Sequence, residues 1–236
     1  MNMLLLRPED ILDSQKAEVK DQTKITHVKN ILKKSKAATL NVGLLGGLKG
    51  KAEITELTAD SLKLCLDLND KPPQKIPLTL FIALPRPKVF LRTIFHAICL
   101  GVEEIHFINT YKVEKPYWSA DQLKEKKITE IIHLALEQCE DTQPPKLNFH
   151  KLFKPFAEDV LPGLITNKSN YIADPSATTK CPYGTQKPTN IAIGPEGGWL
   201  PYELDKMQTA GFTPVHLGKR ILRVDTAVCA LSALFI

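Results

Sequence analysis

The clearest pattern in the chain is the stretch SLKLCLDL (61–68), where Leu62, Leu64, Leu66 and Leu68 alternate with polar or small residues. A period of two marks a strand buried on one face. Similar short runs stand at 3–6 (MLLL), 38–45 (ATLNVGLL) and 49–57 (KGKAEITEL), and Gly43, Gly46, Gly47 and Gly50 punctuate a hairpin between the last two. THVKNILKK (26–34) predicts a short helix among them. So many short strands close most naturally into a small β-barrel. NDKPPQKIP (69–77) carries three prolines and little hydrophobicity, which makes it a linker. The expected domains are therefore 1–72 and 73–236.

Beyond the linker the pattern changes. LTLFIAL (78–84) is an unbroken apolar run, as in a strand covered on both faces. RPKVFLRTIFHAICLG (86–101) has helical spacing and ends at Gly101, a suitable C′ residue. Strand EIHFIN (104–109) follows. Ser119 with Gln122 predicts a capping box for a long helix, whose Ile128, Ile131, Ile132, Ala135, Leu136 and Cys139 form one apolar stripe, either core or a dimer face. Strands at 147–149, 170–173, 190–194 and 214–218 then alternate with helices near 151–161, 201–210 and from about 225. Alternation of buried strands with helices predicts an α/β fold on a parallel sheet.

Composition alters this picture little. The chain has 236 residues with 31 Lys+Arg against 26 Asp+Glu, and the mild excess of +5 says less than its distribution. Lys24, Lys29, Lys33, Lys34 and Lys36 cluster with His27 and no acidic residue, as a solvated face or as a surface for a polyanion. Cys65, Cys99, Cys139, Cys181 and Cys229 are odd in number, scattered and without a CxxC pair, which fits reduced, mostly buried thiols in a cytoplasmic protein. The histidines lack zinc spacing, so no metal is expected, and His96, His106 and His133 read as core residues. MNMLLLRPED is too briefly apolar for a signal peptide.

In an open parallel sheet, ligands bind beyond the carboxyl ends of the strands. Three such ends carry unusual sequence: IADPSA (172–177), IGPEGGW (193–199) and LGKRILRVDTA (217–227). The glycine turn lacks both the third glycine of a dinucleotide fingerprint and the Lys-Ser/Thr of a phosphate loop. It is either a tight strand-to-helix turn or a stiff backbone array that meets the edge of a purine base. Pro201 suits a first helical turn, Glu203 and Glu196 lie near its positive end, and Leu200 is a poor N-cap. Lys219, Arg220 and Arg223 are either ordinary surface cations or contacts to an anion such as RNA phosphate.

IGPEGG followed by LGKRILRVDTA closely resembles the RsmE family of ribosomal RNA methyltransferases, within the SPOUT superfamily. HVKNILK (27–33) resembles a segment of that family's N-terminal barrel, and EQC (137–139) its helix end. The resemblance implies transfer of methyl from S-adenosylmethionine to N3 of a uridine in 16S (small-subunit) ribosomal RNA. It implies a trefoil-knotted SPOUT-type catalytic domain at 73–236, a PUA-like barrel at 1–72 that docks RNA, and a cytoplasmic homodimer.

Carried over by motif, cofactor contact falls to Ala173, Asp174, Gly194, Pro195, Gly197, Gly198, Leu217, Gly218, Ile221 and Leu222. Catalytic roles fall to Arg223, for developing oxygen charge, and to Glu196 or Asp225, for the N3 proton. RNA contact falls to Arg7, His27, Lys33, Arg86, Lys88, Arg92 and Arg220. Lys33 stands where the family usually has Arg, Asp225 where it has Glu, and Leu200 where it has a capping Ser. Asp141 stands where a basic residue is common. The competing expectations are a non-catalytic RNA-binding protein of the same fold and an enzyme acting on another nucleotide.

Overall fold

The computed structural model describes residues 2–184 and 187–236. Its chain divides into two compact units, one of Met1–Pro73 with His133–Pro144 and one of Gln74–Ile132 with Pro145–Ile236.

The first unit is built on strands β1 (Leu4–Leu6), β2 (Ile11–Asp13), β3 (Lys16–Val19), β4 (Thr39–Leu44), β5 (Lys49–Leu57) and β6 (Leu62–Asp70), ordered β1-β4-β5-β6-β3-β2. β1 pairs with β4 in parallel and the other ladders are antiparallel. The alternation along 61–68 holds: Leu62, Leu64 and Leu66 are buried in a core with Leu4, Leu6, Val19, Val42 and Ile54, and Leu68 packs against it. The β2–β3 hairpin escapes the periodicity argument because its strands are too short to display a period.

Helix α1 (Gln22–Thr26) is capped by the Asp21 carboxylate, which accepts from Thr23 N at 3.0 Å and Lys24 N at 3.3 Å. It widens into a π-turn over His27–Ile31 and ends where Lys33, at φ 51°, takes the left-handed conformation usually given to glycine. Lys24 Nζ reaches inward to Leu5 O (2.5 Å) and to Glu137 Oε1 (3.2 Å). Both side chains are nearly buried, so the pair and the carbonyl together offset the cost of desolvating the two charges.

The second unit holds a parallel sheet of β7 (Ile76–Ala83), β8 (Val102–Ile108), β9 (Lys146–His150), β10 (Ser169–Ala173), β11 (Thr189–Ile193) and β12 (Thr213–Val215), ordered β12-β10-β11-β7-β8-β9. Its helices are α2 (Pro87–Cys99), α3 (Glu125–Cys139, whose last residues belong to the first unit), α4 (Phe153–Pro155), α5 (Leu161–Ile165), α6 (Pro201–Thr209) and α7 (Val224–Ser232). A π-turn over Phe156–Val160 joins α4 to α5. The runs at 78–84 and 191–193 are buried throughout, as strands covered on both faces require. Gly101, at φ 78°, ends α2 as expected.

Ser119 does not cap α3. It closes a 3₁₀ turn over Lys115–Ser119 and donates its hydroxyl to Pro116 O (3.1 Å), and the helix begins only at Glu125. On α3, Ala135 and Leu136 are buried, while Ile128, Ile131, Ile132 and Cys139 are half-buried. Among the described residues the cysteines form no disulfide; only Cys181 is buried, and Cys65 is exposed because it falls on the outward phase of β6. Burial pushes the Cys181 thiol up to about 11, which keeps it protonated and inert.

Candidate functional site

Ala173, the last residue of β10, is in register with Ile193 at the end of β11 and with Val215 at the end of β12. The three strands are neighbours in a parallel sheet, so the loops that follow all leave one edge at one level. The loop after β10 then runs beside the continuation of β12. Asp174 N donates to Val215 O (2.9 Å), His216 N to Thr179 O (2.9 Å) and Cys181 N to His216 O (2.9 Å). The Asp174 carboxylate is spent on its own turn, where Oδ1 accepts from Ser176 N and Oγ.

The glycine turn is tied on both sides. Gly198 N donates to Pro195 O (2.8 Å), and the Trp199 indole donates to Ala173 O (3.2 Å), which joins the turn to the end of β10. A Cβ built on Gly194 would lie 2.9 Å from Trp199 Nε1, so the indole's place requires glycine there. Gly198 (φ 72°) and, in the loop after β12, Gly218 (φ 125°) have positive φ, and a Cβ on either would meet nothing within 4 Å. Both therefore border open space, and their positive φ favours glycine.

Glu203 lies in the first turn of α6 and is only 2% exposed. Its Oε2 accepts from Leu200 N (2.9 Å), which replaces the cap Leu200 cannot supply. Its Oε1 accepts from Tyr111 N (2.7 Å), and Lys112 Nζ donates to Gly197 O (2.6 Å). The loop after β8 is thereby fastened to the glycine turn. No motif in the sequence pointed to this clamp; the aromatic and basic interleaving of NTYKVEKPYW (109–118) was the available signal.

After β12, Leu217 and Gly218 are half-buried, while Ile221 is 84% exposed and Leu222 37%. Apolar side chains held out at a strand end suit the face of an apolar or aromatic ligand. Asp225 opens α7 between two guanidiniums, with Oδ2 3.2 Å from Arg92 Nη2 and Oδ1 3.7 Å from Arg223 Nε. Glu196 sits on a different pairing: its Oε1 accepts from Arg86 N (3.2 Å) and lies 4.0 Å from Arg86 Nε.

The family model described as "RNA methyltransferase domain" matches residues 72–236. The chain belongs to this RNA methyltransferase family. It is 27% identical over 238 residues to the ribosomal RNA small subunit methyltransferase E of Treponema pallidum (strain Nichols), which covers 99% of this chain and 90% of the relative. It is 28% identical over 228 residues to the protein of that name from Synechocystis sp. (strain ATCC 27184 / PCC 6803 / Kazusa), covering 95% and 73%. The solved structure of a ribosomal RNA small subunit methyltransferase E from Neisseria gonorrhoeae bound to S-adenosyl methionine aligns with a TM-score of 0.77 at 23% identity, over 99% of this chain and 95% of the other, and shares the fold.

In the methyltransferase, the predicted RNA contacts fall into two sets. In the first unit, Arg7 is half-buried and bound to Asp21 (2.9 Å), which makes it a structural ion pair as much as a free cation. His27 is half-buried, and Lys33 is exposed among Lys29, Lys34 and Lys36 around Ile31, itself 67% exposed. In the second unit, Arg86, Lys88 and Arg92 lie exposed along α2, although Arg86 and Arg92 are engaged by Glu196 and Asp225, and Arg220 is exposed.

His106 belongs to the sheet and not to the site. Its Nδ1 lies 2.9 Å from His150 Nε2 and its Nε2 3.3 Å from Glu104 Oε1. Burial lowers it to about 4, against the opposing pull of Glu104. His96 and His133 are half-buried. Among the described residues no cluster of three or more His, Cys, Asp or Glu side chains is placed to hold a metal, and no helix is long and apolar enough to cross a membrane.

Proposed function

We propose that the chain transfers methyl from S-adenosylmethionine to N3 of a uridine in 16S (small-subunit) ribosomal RNA. The observation that carries this reading is the register of Ala173 with Ile193 and Val215, which gathers three loops at one sheet edge. The donor set fits the cofactor. Gly198 and Gly218 border open space, Ile221 and Leu222 offer aliphatic faces for an adenosyl group, and the turns supply backbone N–H and C=O groups for a purine edge. Ala173, Asp174, Gly194, Pro195, Gly197, Gly198, Leu217, Gly218, Ile221 and Leu222 are the residues that would hold it. For Asp174 and Gly194 the contact is through the backbone, since the Asp174 carboxylate and the space beside Gly194 are already used.

When bound, S-adenosylmethionine supplies a methyl group already activated by its sulfonium. The chain's own work is to align the base and to stabilise the charge left when N3 loses its proton. Arg223, 68% exposed, is steadied by Asp225 from one side and keeps its remaining donors for a uracil oxygen. Both contacts of Glu196 fall on Oε1, which leaves Oε2 for the N3 proton. Asp225, held between Arg92 and Arg223, serves better to position Arg223 than to accept a proton.

The same reading carries a PUA-like barrel for the first unit, a trefoil-knotted path for the second, a homodimer and a cytoplasmic setting beside the ribosome. The bond from Gly184 N to Leu234 O (2.8 Å) supports such a path, since it brings the C-terminal segment against a residue that follows β10 in sequence. Calorimetry with S-adenosylmethionine and mass spectrometry of small-subunit ribosomal RNA nucleosides test the proposal. Binding competed by S-adenosylhomocysteine, with N3-methyluridine formed by the wild type and lost in Arg223→Ala, is expected. A chain that binds no S-adenosylmethionine refutes it.

A further inference from the structure

The most exposed aromatic ring on the site edge is unused by the mechanism above. Tyr111 is 82% exposed, yet its backbone N–H is tied down from the protein side. Its N–H is bound by the buried Glu203 carboxylate at 2.7 Å, and the next residue, Lys112, is bound through Nζ to Gly197 O at 2.6 Å. Around it, Asn109 N donates to His150 O (2.8 Å), Val113 N to Thr110 O (3.1 Å), and the Trp118 indole to Asn109 Oδ1 (2.9 Å). Val113, two residues on, is 6% exposed and anchors the loop from below.

β8 is separated from β11 by β7, so this loop folds across the end of β7 to reach the glycine turn. A single exposed apolar residue needs no explanation. A flat ring on a backbone fixed by a buried carboxylate, its neighbour Lys112 tied to the glycine turn, is a different object. It is preorganised, and a tyrosine loses only two side-chain torsions on contact. The same loop carries a further exposed cation, Lys115.

We infer that Tyr111 is a stacking platform for a nucleobase of the RNA substrate, with Glu203 as its positioning residue. The inference rests on the methyltransferase reading and extends it to how the base is held once it leaves its stack. Aromatic stacking accepts any base, so Tyr111 contributes affinity and placement, and selection of uridine falls to groups that meet the edge of the base.

The test compares wild type, Tyr111→Ala and Tyr111→Phe on a small-subunit ribosomal RNA transcript. Methyl transfer and RNA affinity are measured alongside S-adenosylmethionine affinity and thermal midpoint. Tyr111→Ala should lower kcat/KM for RNA by about 10- to 100-fold, with a matching loss of RNA affinity. Cofactor affinity and midpoint should stay at wild-type values, and Tyr111→Phe should retain wild-type activity. Wild-type kcat/KM and RNA affinity in Tyr111→Ala overturn the inference, and so does a loss in Tyr111→Phe as large as in Tyr111→Ala. If the wild type binds S-adenosylmethionine but methylates nothing, the enzymatic reading fails; the RNA affinities alone then decide the role of Tyr111.

Discussion

Replacing Glu203 by Gln keeps shape and volume and removes one acceptor. In the native chain the carboxylate takes two backbone donors, Tyr111 N at 2.7 Å and Leu200 N at 2.9 Å, while only 2% exposed. Each charge-assisted bond contributes about 1.5–3 kcal/mol, and a buried N–H left unmade costs about 1–3 kcal/mol. A glutamine amide accepts one of these bonds and turns its NH₂ toward the other donor, so one N–H is stranded and the surviving bond is neutral. The favourable placement of a negative charge at the start of α6 is lost as well, about 0.3–1 kcal/mol. Against this, a neutral amide is cheaper to bury than a carboxylate, which returns a part of the loss. The net expectation is a destabilisation of about 2 kcal/mol, read from the urea midpoint at constant slope. Because one of the two donors is Tyr111 N, amide hydrogen exchange should quicken over residues 109–113 and at the start of α6 while the sheet stays protected. A Glu203→Gln protein within about 0.5 kcal/mol of wild type, with exchange over 109–113 unchanged, would refute the clamp.

Gly194→Ala should drive the Trp199 indole off Ala173 O, cost about 1–3 kcal/mol and weaken S-adenosylmethionine binding; tryptophan fluorescence identical to wild type would contradict it. Protonation of His106 gives a signed pH effect. Its folded value of about 4 lies below the ordinary 6.5, so its contribution is complete above pH 6.5 and is lost as pH falls toward 4. The unfolded chain then binds a proton the native chain refuses, a loss of about 3 kcal/mol. His106→Gln should flatten that part of the profile, and an unchanged slope in urea titrations from pH 7 to 4 would count against it. Lys33→Gly removes a side chain from the left-handed region and should stabilise the first unit by about 1 kcal/mol, while lowering the salt dependence of RNA binding by about one counterion. Equal salt slopes would remove Lys33 from the RNA surface.

Apolar runs made the parallel sheet legible, because strands such as β7 and β11 are buried on both faces and leave no polar phase to misread. The loops of the candidate site were legible as loops for a related reason: glycines at 194, 197 and 198 crowd into five residues after an apolar run, and Gly218 ends the next one. What stayed hidden was decided by single atoms. Nothing in the string says that the Trp199 indole turns back to Ala173, or that Glu203 serves two loops at once. The helix expected near 151–161 runs on to Ile165 through a π-turn, with Pro155 and Pro162 withholding N–H groups from a regular ladder. Ser119 misled because a capping box is a local signal, and Pro116 had already set a 3₁₀ turn over the same residues.

The bond between Lys24 and Glu137 bears on how such a protein is inherited. An ammonium 11% exposed in the first unit depends on a carboxylate encoded well beyond the linker, past two strands of the message for the other unit. Recombination that exchanged only the codons ahead of Pro73 would deliver the lysine to a host lacking its counter-ion, and the recipient core would hold an uncompensated charge. Lineages can thus trade this first unit only by carrying residues 133–144 with it, so the two stretches should travel together through descent.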